Sequence, residues 1–318
     1  MTDSDVPGAW DCIVVGAGPA GLSAAVYCAR FLRSALVLHD GKARALRIPL
    51  THNVPGFPDG VSGTDLIARM TEHATSYGAV ISEAKIISIG LRAEHGFVIE
   101  AEEGRRWYSR SVIMATGIDL NQIALPDDVH EAAIRLNVLR YCPVCDAYEH
   151  KGKRIAVVGC DVQGAAEALF LRTYSPDVTL IPHRYHELTE QEVAQLDEHG
   201  VVVAQAAVSG YEVHPDGMHI TYSDGSHDKF DVVYPALGVT PRTELVETLG
   251  VPLDDNKCVA SSSFVETNVP GLWCAGDIVD GLDQISVAMG HGAIAATKAH
   301  NWLRDRDEQT IQSQRATR

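Results

Sequence analysis

Cys12-Ile13-Val14-Val15-Gly16-Ala17-Gly18-Pro19-Ala20-Gly21 is the stretch on which the fold turns. Its first four residues form a short β-branched run of the kind found in a buried parallel strand. The run feeds Gly16-x-Gly18-x-x-Gly21, then an Ala-rich helical stretch from Leu22 to Arg30, then a second apolar run, Ala35-Leu36-Val37-Leu38. Glycines at these three places let the chain turn tightly, let the backbone approach a pyrophosphate without a Cβ in the way, and let the helix pack close on the sheet. The helix N-terminus adds unpaired N–H groups and the positive end of a dipole. Alone, the pattern is only a tight turn. Set between a strand and a helix, it predicts a dinucleotide site at Gly16, Gly18, Pro19, Ala20 and Gly21. The acidic residue expected on the ribose ~20 positions further on falls at His39-Asp40, with Asp40 preferred and His39 one residue out of register.

The same grammar returns in Arg154-Ile155-Ala156-Val157-Val158, a turn at Gly159, a helical stretch from Ala165 to Leu171, and Val178-Thr179-Leu180-Ile181. Two βαβ units about one domain apart predict an α/β protein with two Rossmann-like, three-layer ββα domains. Ser111-Val112-Ile113-Met114-Ala115-Thr116-Gly117 and Val232-Val233-Tyr234-Pro235-Ala236-Leu237-Gly238 are matching strand-to-glycine runs, read as the two domain crossings. They make residues 118–240 an insert in a discontinuous first domain of residues 1–117 and 241–318. Residues 305–318 are polar and poorly periodic, which predicts a mobile tail.

A chain of 318 residues with 46% hydrophobic and 21% charged residues has room for two such cores. Its formal net charge of -16 argues against nucleic acid or an anionic membrane surface as partner. The start is polar and acidic, without a secretory pattern, and no uncharged apolar stretch reaches the ~18 residues of a membrane span, so a cytoplasmic protein is expected. Of seven cysteines, Cys12, Cys28, Cys160, Cys258 and Cys274 sit singly in apolar or small-residue surroundings and read as packing residues. Cys142 and Cys145 form the one close pair. Near the C-terminus, Trp273-Cys274-Ala275-Gly276-Asp277 ends a strand with a carboxylate that either binds polyol hydroxyls or caps the helix from Gln284 to Ala296.

Gly16 to Gly21, His52-Asn53-Val54-Pro55-Gly56-Phe57-Pro58, Ala115-Thr116-Gly117, Cys142 to Asp146, and Ala275-Gly276-Asp277 follow the order found in the low-molecular-weight flavin-dependent thioredoxin reductases, which the chain resembles over nearly its whole length. The resemblance implies an FAD domain, a smaller inserted domain of the pyridine-nucleotide type carrying the CxxC, and a homodimer. Asn53, Pro55, Asp277 and Gln284 would lie along the flavin, with Thr116, Gly117, Gly276 and Ile285 completing the cofactor set.

Two thiols separated by two residues can close a small ring at a helix start, where the helix dipole favours a thiolate. Pro143 suits the first turn because it has no N–H to satisfy. The competing reading is half of a zinc site, but no second CxxC or CxxH follows, so no metal is expected. Asp146 is either a solvated helix residue or a proton handler for the departing thiolate. By the resemblance Cys145 faces the flavin, Cys142 attacks the partner disulfide, and an acid rather than His after the second cysteine favours a reductase over a dithiol oxidase. Ala147 replaces the family's usual Gly.

The second turn departs from the pattern. Gly159-Cys160-Asp161-Val162-Gln163-Gly164 puts Asp161 where the middle glycine of a nicotinamide site belongs. Like charges ~4 Å apart at an effective dielectric of ~20 repel by roughly 4 kcal/mol before screening. The basic cluster expected next is reduced to His183-Arg184-Tyr185-His186, and Asp283-Gln284-Ile285 stands where the family has Arg-Gln-Ala. These changes resemble the deeply rooted, NADPH-independent thioredoxin reductases of cyanobacterial type. The expected activity is electron flow from FAD through Cys142/Cys145 to thioredoxin or another protein disulfide, from an unidentified donor of which ferredoxin is one candidate. Charge attraction would not explain that candidate, since both proteins tend to be acidic. Two alternatives are a dithiol oxidase that returns electrons to oxygen and a flavin-bearing redox sensor without turnover.

Overall fold

The computed structural model of the chain describes residues 8–92, 96–183, 187–260 and 265–309. Two compact units are present: Met1–Leu46 with Gly63–Asp119 and Pro241–Arg318, and Arg47–Ser62 with Leu120–Thr240.

In the first unit, strand β1 (Trp10–Val15) leads into α1 (Pro19–Arg30), β2 (Ala35–His39), α2 (Gly63–Ser76), β3 (Val80–Glu83), β4 (Ile86–Arg92), β5 (Gly96–Ala101), β6 (Arg106–Met114) and β7 (Ile118–Leu120). Its sheet runs β3-β2-β1-β6-β5-β4. β1 pairs in parallel with β2 and β6, while β4, β5 and β6 form an antiparallel meander. Period-two alternation divides β1 between two cores: Cys12 and Val14 face one apolar cluster with Ala20, Ala24 and Ala295, and Ile13 and Val15 face another with Phe97 and Ile99. That is the three-layer arrangement expected. α1 begins at Pro19, three residues before the apolar stretch starts, because proline at the first helical position has its φ preset and no N–H to leave unpaired.

The second unit holds α3 (Asp127–Arg135), α4 (Pro143–Asp146), β8 (Ile155–Val158), α5 (Val162–Arg172), β9 (Val178–Ile181), α6 (Glu190–Glu198), β10 (Val201–Val203), β11 (Val208–His214), β12 (Gly217–Tyr222), β13 (His227–Phe230) and β14 (Val232–Pro235). A parallel sheet β10-β9-β8-β14 is covered on one side by α5 and α6 residues and on the other by the antiparallel sheet β11-β12-β13. β15 (Val239–Pro241) pairs with β7, so the two chain crossings form a short ribbon. The first unit is completed by α7 (Glu244–Glu247), β16 (Leu272–Cys274), which adds to β6 in parallel, and α8 (Ile285–Arg306).

Two boundaries differ from those expected. Arg47–Ser62 groups with the second unit, held there by Arg47, whose Nη2 donates to Glu131 Oε1 at 2.6 Å, and by His52 Nδ1 at 3.3 Å from Glu149 Oε1. α8 continues past the start of the expected tail, through Asp305 and Arg306. Asp307 then sits between Arg33 and Arg110, and Arg306 stacks over Trp302, contacts that a periodicity count cannot register. Residues 310–318 of the expected tail lie outside the described residues. Among the described residues no helix is long and apolar enough to cross a membrane.

Candidate redox and cofactor sites

The first glycine turn separates packing from vacancy at each position. A Cβ on Gly16 (φ +112°) would lie 2.1 Å from Ala115 O, and one on Gly21 would lie 1.9 Å from Gly16 O. Strand-to-helix closure demands both glycines. A Cβ on Gly18 would meet no protein atom within 4 Å. Packing therefore does not require Gly18; the open space matters for a ligand. Gly18 is also the N-cap of α1 and gives it no side-chain hydrogen bond, so the helix start keeps its N–H groups for an anion. The turn fits the pyrophosphate of a dinucleotide.

The other expected cofactor residues of this unit surround the sheet's carboxyl edge. β2 ends at His39, whose Nδ1 accepts from Gly41 N at 3.1 Å, and Asp40 Oδ1 accepts from Lys42 N at 3.0 Å. Thr116 Oγ1 donates to Arg242 O at 2.7 Å, and Gly117 takes a left-handed φ of +71°. Gly276 comes so close to α1 that a Cβ would lie 2.8 Å from Ala20 Cβ. Gln284 is the N-cap of α8 and Ile285 its first residue, with no side-chain cap bond. Asp277 does not cap α8; its carboxylate pairs with Arg44 Nη2 at 2.9 Å. Burial pushes the Asp277 carboxyl up in pKa against the pull of Arg44. Arg44 also stands 3.9 Å from Asp283, which burial and the Asp277 charge raise to about 6. Nothing in the sequence marked Arg44 as the cation between these two aspartates.

The second turn repeats this frame with one change. A Cβ on Gly159 (φ +139°) would lie 2.4 Å from Ala236 O, and one on Gly164 would lie 1.9 Å from Gly159 O. At the position equivalent to Gly18, Asp161 is the N-cap of α5, and its Oδ1 accepts from Gly164 N at 2.8 Å. The carboxylate occupies the anion-binding end of the helix with the chain's own charge. Of the neighbouring basic cluster, Arg184, Tyr185 and His186 lie outside the described residues.

Cys142 and Cys145 are joined in a disulfide, with Cα atoms 5.2 Å apart. Cys142 is the N-cap of α4, Pro143 its first residue, and Cys145 N donates to Cys142 O at 2.9 Å. α4 is a single turn, so the dipole expected to favour a thiolate sums few peptide units. The local charges come instead from side chains. Asp146 is 6% exposed, not solvated; Arg140 Nε donates to its Oδ2, and the Tyr234 hydroxyl donates to its Oδ1 at 2.6 Å. Burial and the Asp146 charge push the Tyr234 hydroxyl far up, so it remains a neutral donor. His150, also buried, lies edge-on to Tyr234 at 6.1 Å, and burial lowers its pKa.

On the other side of the pair, Tyr141 belongs to a second polar chain. Arg47 Nη2 donates to His130 Nδ1 at 3.0 Å, which leaves the neutral ring's proton on Nε2, facing the Tyr141 hydroxyl at 2.6 Å. Burial keeps His130 low in pKa. Four further cysteines are poor nucleophiles: burial raises Cys160 and Cys258 to about 11 and Cys274 to about 12, and a hydrogen bond with Cys12 together with burial raises Cys28.

A cavity of about 380 Å³ in the second unit opens beside the disulfide. Cys145 and Asp146 line it together with His52 and Asn53; Cys142 does not. Asn53 Oδ1 accepts from Thr51 Oγ1 at 2.8 Å, and Pro55 is exposed on the same segment. No cluster of metal-ligating side chains occurs among the described residues.

Residues 10–292 match the family described as pyridine nucleotide-disulphide oxidoreductase. A thioredoxin reductase of Mycolicibacterium smegmatis is 30% identical over 310 residues, covering 93% of this chain and 97% of the relative. A bifunctional thioredoxin reductase/thioredoxin of Mycobacterium leprae (strain TN) is 30% identical over 311 residues, 92% of this chain but 66% of that longer protein. Among solved structures, the crystal structure of HlmI superposes with a TM-score of 0.87 at 26% identity, covering 96% of this chain and 95% of that one. Because the match runs across both βαβ units and the cysteine pair that lies between them in sequence, the chain belongs to the pyridine nucleotide-disulphide oxidoreductase family.

Proposed function

We propose that this chain is an FAD-dependent thiol-disulfide oxidoreductase of the thioredoxin reductase kind, which delivers electrons through Cys145 and then Cys142 to the disulfide of thioredoxin or a similar protein, and whose electron donor is not NADPH. One observation carries the order of the two cysteines. Asn53 and Cys145 stand far apart in sequence, the resemblance assigns both to the flavin side, and both line the same cavity, whereas Cys142 does not.

Bound FAD supplies a two-electron carrier able to open a disulfide. The chain's own residues do the rest. Gly16 makes the turn, and Gly18, Ala20 and Gly21 would offer backbone N–H groups to the pyrophosphate while Pro19, which has no N–H, presets the first helical turn; His39 or Asp40 would meet a ribose, and Asp277 with Gln284 and Ile285 would lie along the cofactor. Opening of the Cys142–Cys145 bond takes up two electrons and one proton, giving a thiolate and a thiol. The Cys142 thiolate attacks the partner disulfide and releases one partner thiolate. Cys145 loses its proton to Asp146 and attacks the mixed disulfide, which restores the intramolecular bond and releases the second partner sulfur. Asp146 returns the proton to the departing thiolate, so charge and electrons balance.

The reading that excludes NADPH rests on Asp161. A nicotinamide dinucleotide would have to place two phosphates against a carboxylate that already holds the Gly164 amide. This favours the NADPH-independent subgroup, with a homodimer as the working assembly and ferredoxin as one donor to try.

Two measurements test the proposal. Dithionite should bleach the flavin absorbance and NADPH should not; rapid bleaching by micromolar NADPH would overturn the donor assignment. With oxidised thioredoxin, Cys145→Ser should trap a mixed disulfide on Cys142. An adduct on Cys145 in Cys142→Ser would reverse the two roles, and peroxide production from a small dithiol without thioredoxin reduction would replace the reductase by an oxidase.

A further inference from the structure

Asp146 is held by two residues that no part of the cysteine motif contains. Arg140 lies six residues before it and is 8% exposed; Tyr234, on β14, is fully buried. Each takes a different carboxylate oxygen. Both donors are fixed by backbone: Arg140 N donates to Val233 O at 3.0 Å, and Tyr234 pairs in register with Val157 of β8. The carboxylate so clamped lines the cavity together with Cys145.

Burying an ion pair and a tyrosine hydroxyl in one place is a weak way to gain stability, because desolvation opposes the attraction. It is an effective way to hold one carboxylate in one orientation, since two donors from separate segments of the chain leave it little freedom. The geometry points to Arg140 and Tyr234 as positioning residues that hold the Asp146 carboxylate for its proton exchange with Cys145 during resolution of the mixed disulfide. This rests on the redox reading of the pair given above.

The step is the second half of the exchange. Cys145 Sγ–H gives its proton to Asp146; the thiolate attacks Cys142 Sγ; the bond from Cys142 to the partner sulfur breaks, and the partner sulfur leaves with the electron pair. Other titratable groups facing this site are His150, packed on Tyr234, and Glu149 and Lys153 on the turn after α4, with His52 against Glu149. Glu149 and His52 also line the cavity. Of the groups facing Asp146, Arg140 and Tyr234 are the ones whose hydrogen bonds end on its carboxylate, so the proposal names these two.

The test uses the holoenzyme in its dithiol form, free of air, mixed with one equivalent of dithiobis(nitrobenzoate). Two nitrothiophenolate releases follow: the first reports attack by Cys142, the second attack by Cys145. Asp146→Asn should slow the second phase at least about tenfold and leave the first unchanged. Tyr234→Phe removes one hydrogen bond to the carboxylate and should slow the second phase by about threefold or more, with the first phase unchanged. Arg140→Gln should slow the second phase likewise, and Arg140→Lys should restore it. Should Arg140→Gln fail to fold, Tyr234→Phe alone decides. A second phase in Tyr234→Phe that superimposes on the wild type overturns the proposal, as does an equal slowing of both phases with a fall in thermal stability, the mark of a merely structural role. A wild-type dithiol that releases no nitrothiophenolate would defeat the redox reading itself.

Discussion

Asp161 Oδ1 accepts a hydrogen bond from Gly164 N at 2.8 Å, at the one place in the second glycine turn that corresponds to the open space over Gly18 in the first. The flanking glycines of both turns make nearly the same close approaches, 1.9 Å for Gly21 on Gly16 O and 1.9 Å for Gly164 on Gly159 O. The two turns therefore differ in what fills the helix start and hardly at all in frame.

Removing the carboxylate should reopen the second site in part. Asp161→Gly is expected to cost only a few tenths of a kcal/mol in helix capping, because glycine is itself a tolerable N-cap. NADPH affinity, measured by fluorescence quenching or calorimetry, should rise at least about tenfold as a repulsion on the order of 4 kcal/mol is lost. No gain in affinity would show that other changes, not Asp161, keep the nucleotide out.

The reciprocal change belongs in the first turn. A side chain at Gly18 meets no protein atom within 4 Å, so Gly18→Asp should fold with a melting temperature equal to that of the flavin-free wild type or slightly above it. Flavin content of the purified protein, read from its visible absorbance, should fall by about tenfold or more, by the same repulsion. Full retention of flavin would mean that the pyrophosphate does not lie over this turn.

Gly21→Ala should behave differently, because its Cβ would lie 1.9 Å from Gly16 O, a backbone atom that cannot swing aside. A loss of about 1–3 kcal/mol in denaturant unfolding is expected. An unfolding midpoint matching the wild type would show that the helix and turn can separate freely.

Glu167 on α5 gives a pH-dependent prediction. Burial raises its carboxyl from an ordinary 4.5 to about 7, with the Asp161 charge adding to the effect and Gln163 opposing it. Stability is intact below about 4.5 and is lost as pH climbs from there to about 7, because the unfolded chain's carboxyl ionises while the half-buried one stays protonated. Glu167→Gln should therefore be close to neutral at about pH 4 and stabilising at about pH 8, by at most about 3 kcal/mol and less with solvent screening. Melting curves at the two pH values check this, and equal effects at both would contradict it.

The strands and turns that position the sites were legible because they are local. Cys12 to Gly21 and Ile155 to Gly164 combine apolar runs with glycines whose spacing the backbone enforces, and the cysteine pair declares itself within four residues. Asp161 was legible for the same reason: a charge stood where a phosphate would favour glycine. What joins distant positions was not legible. Tyr234 meets Asp146 across 88 residues, and Arg47 meets His130 across 83. Neither Arg140 nor Tyr234 belongs to any motif, and a tyrosine in the apolar run Val232–Pro235 reads as core until its hydroxyl is seen to have a partner. The end of α8 is not marked in the sequence because it is held by the ion pairs of Asp307 and the stacking of Arg306 on Trp302 rather than by an apolar stripe.

The carboxylate of Asp161 can also be viewed as a ligand tethered to its own receptor. Flexible linkers already give effective concentrations of ~mM, and a tether of three residues on a folded turn is shorter and stiffer than any of them. A free nucleotide arriving from solution competes against an occupant that never diffuses away, so raising its concentration would be an inefficient remedy. On the NADPH-independent reading proposed above, the loss of a cofactor preference would be written into the protein as self-inhibition, open to partial reversal by one substitution while the fold stays as it is.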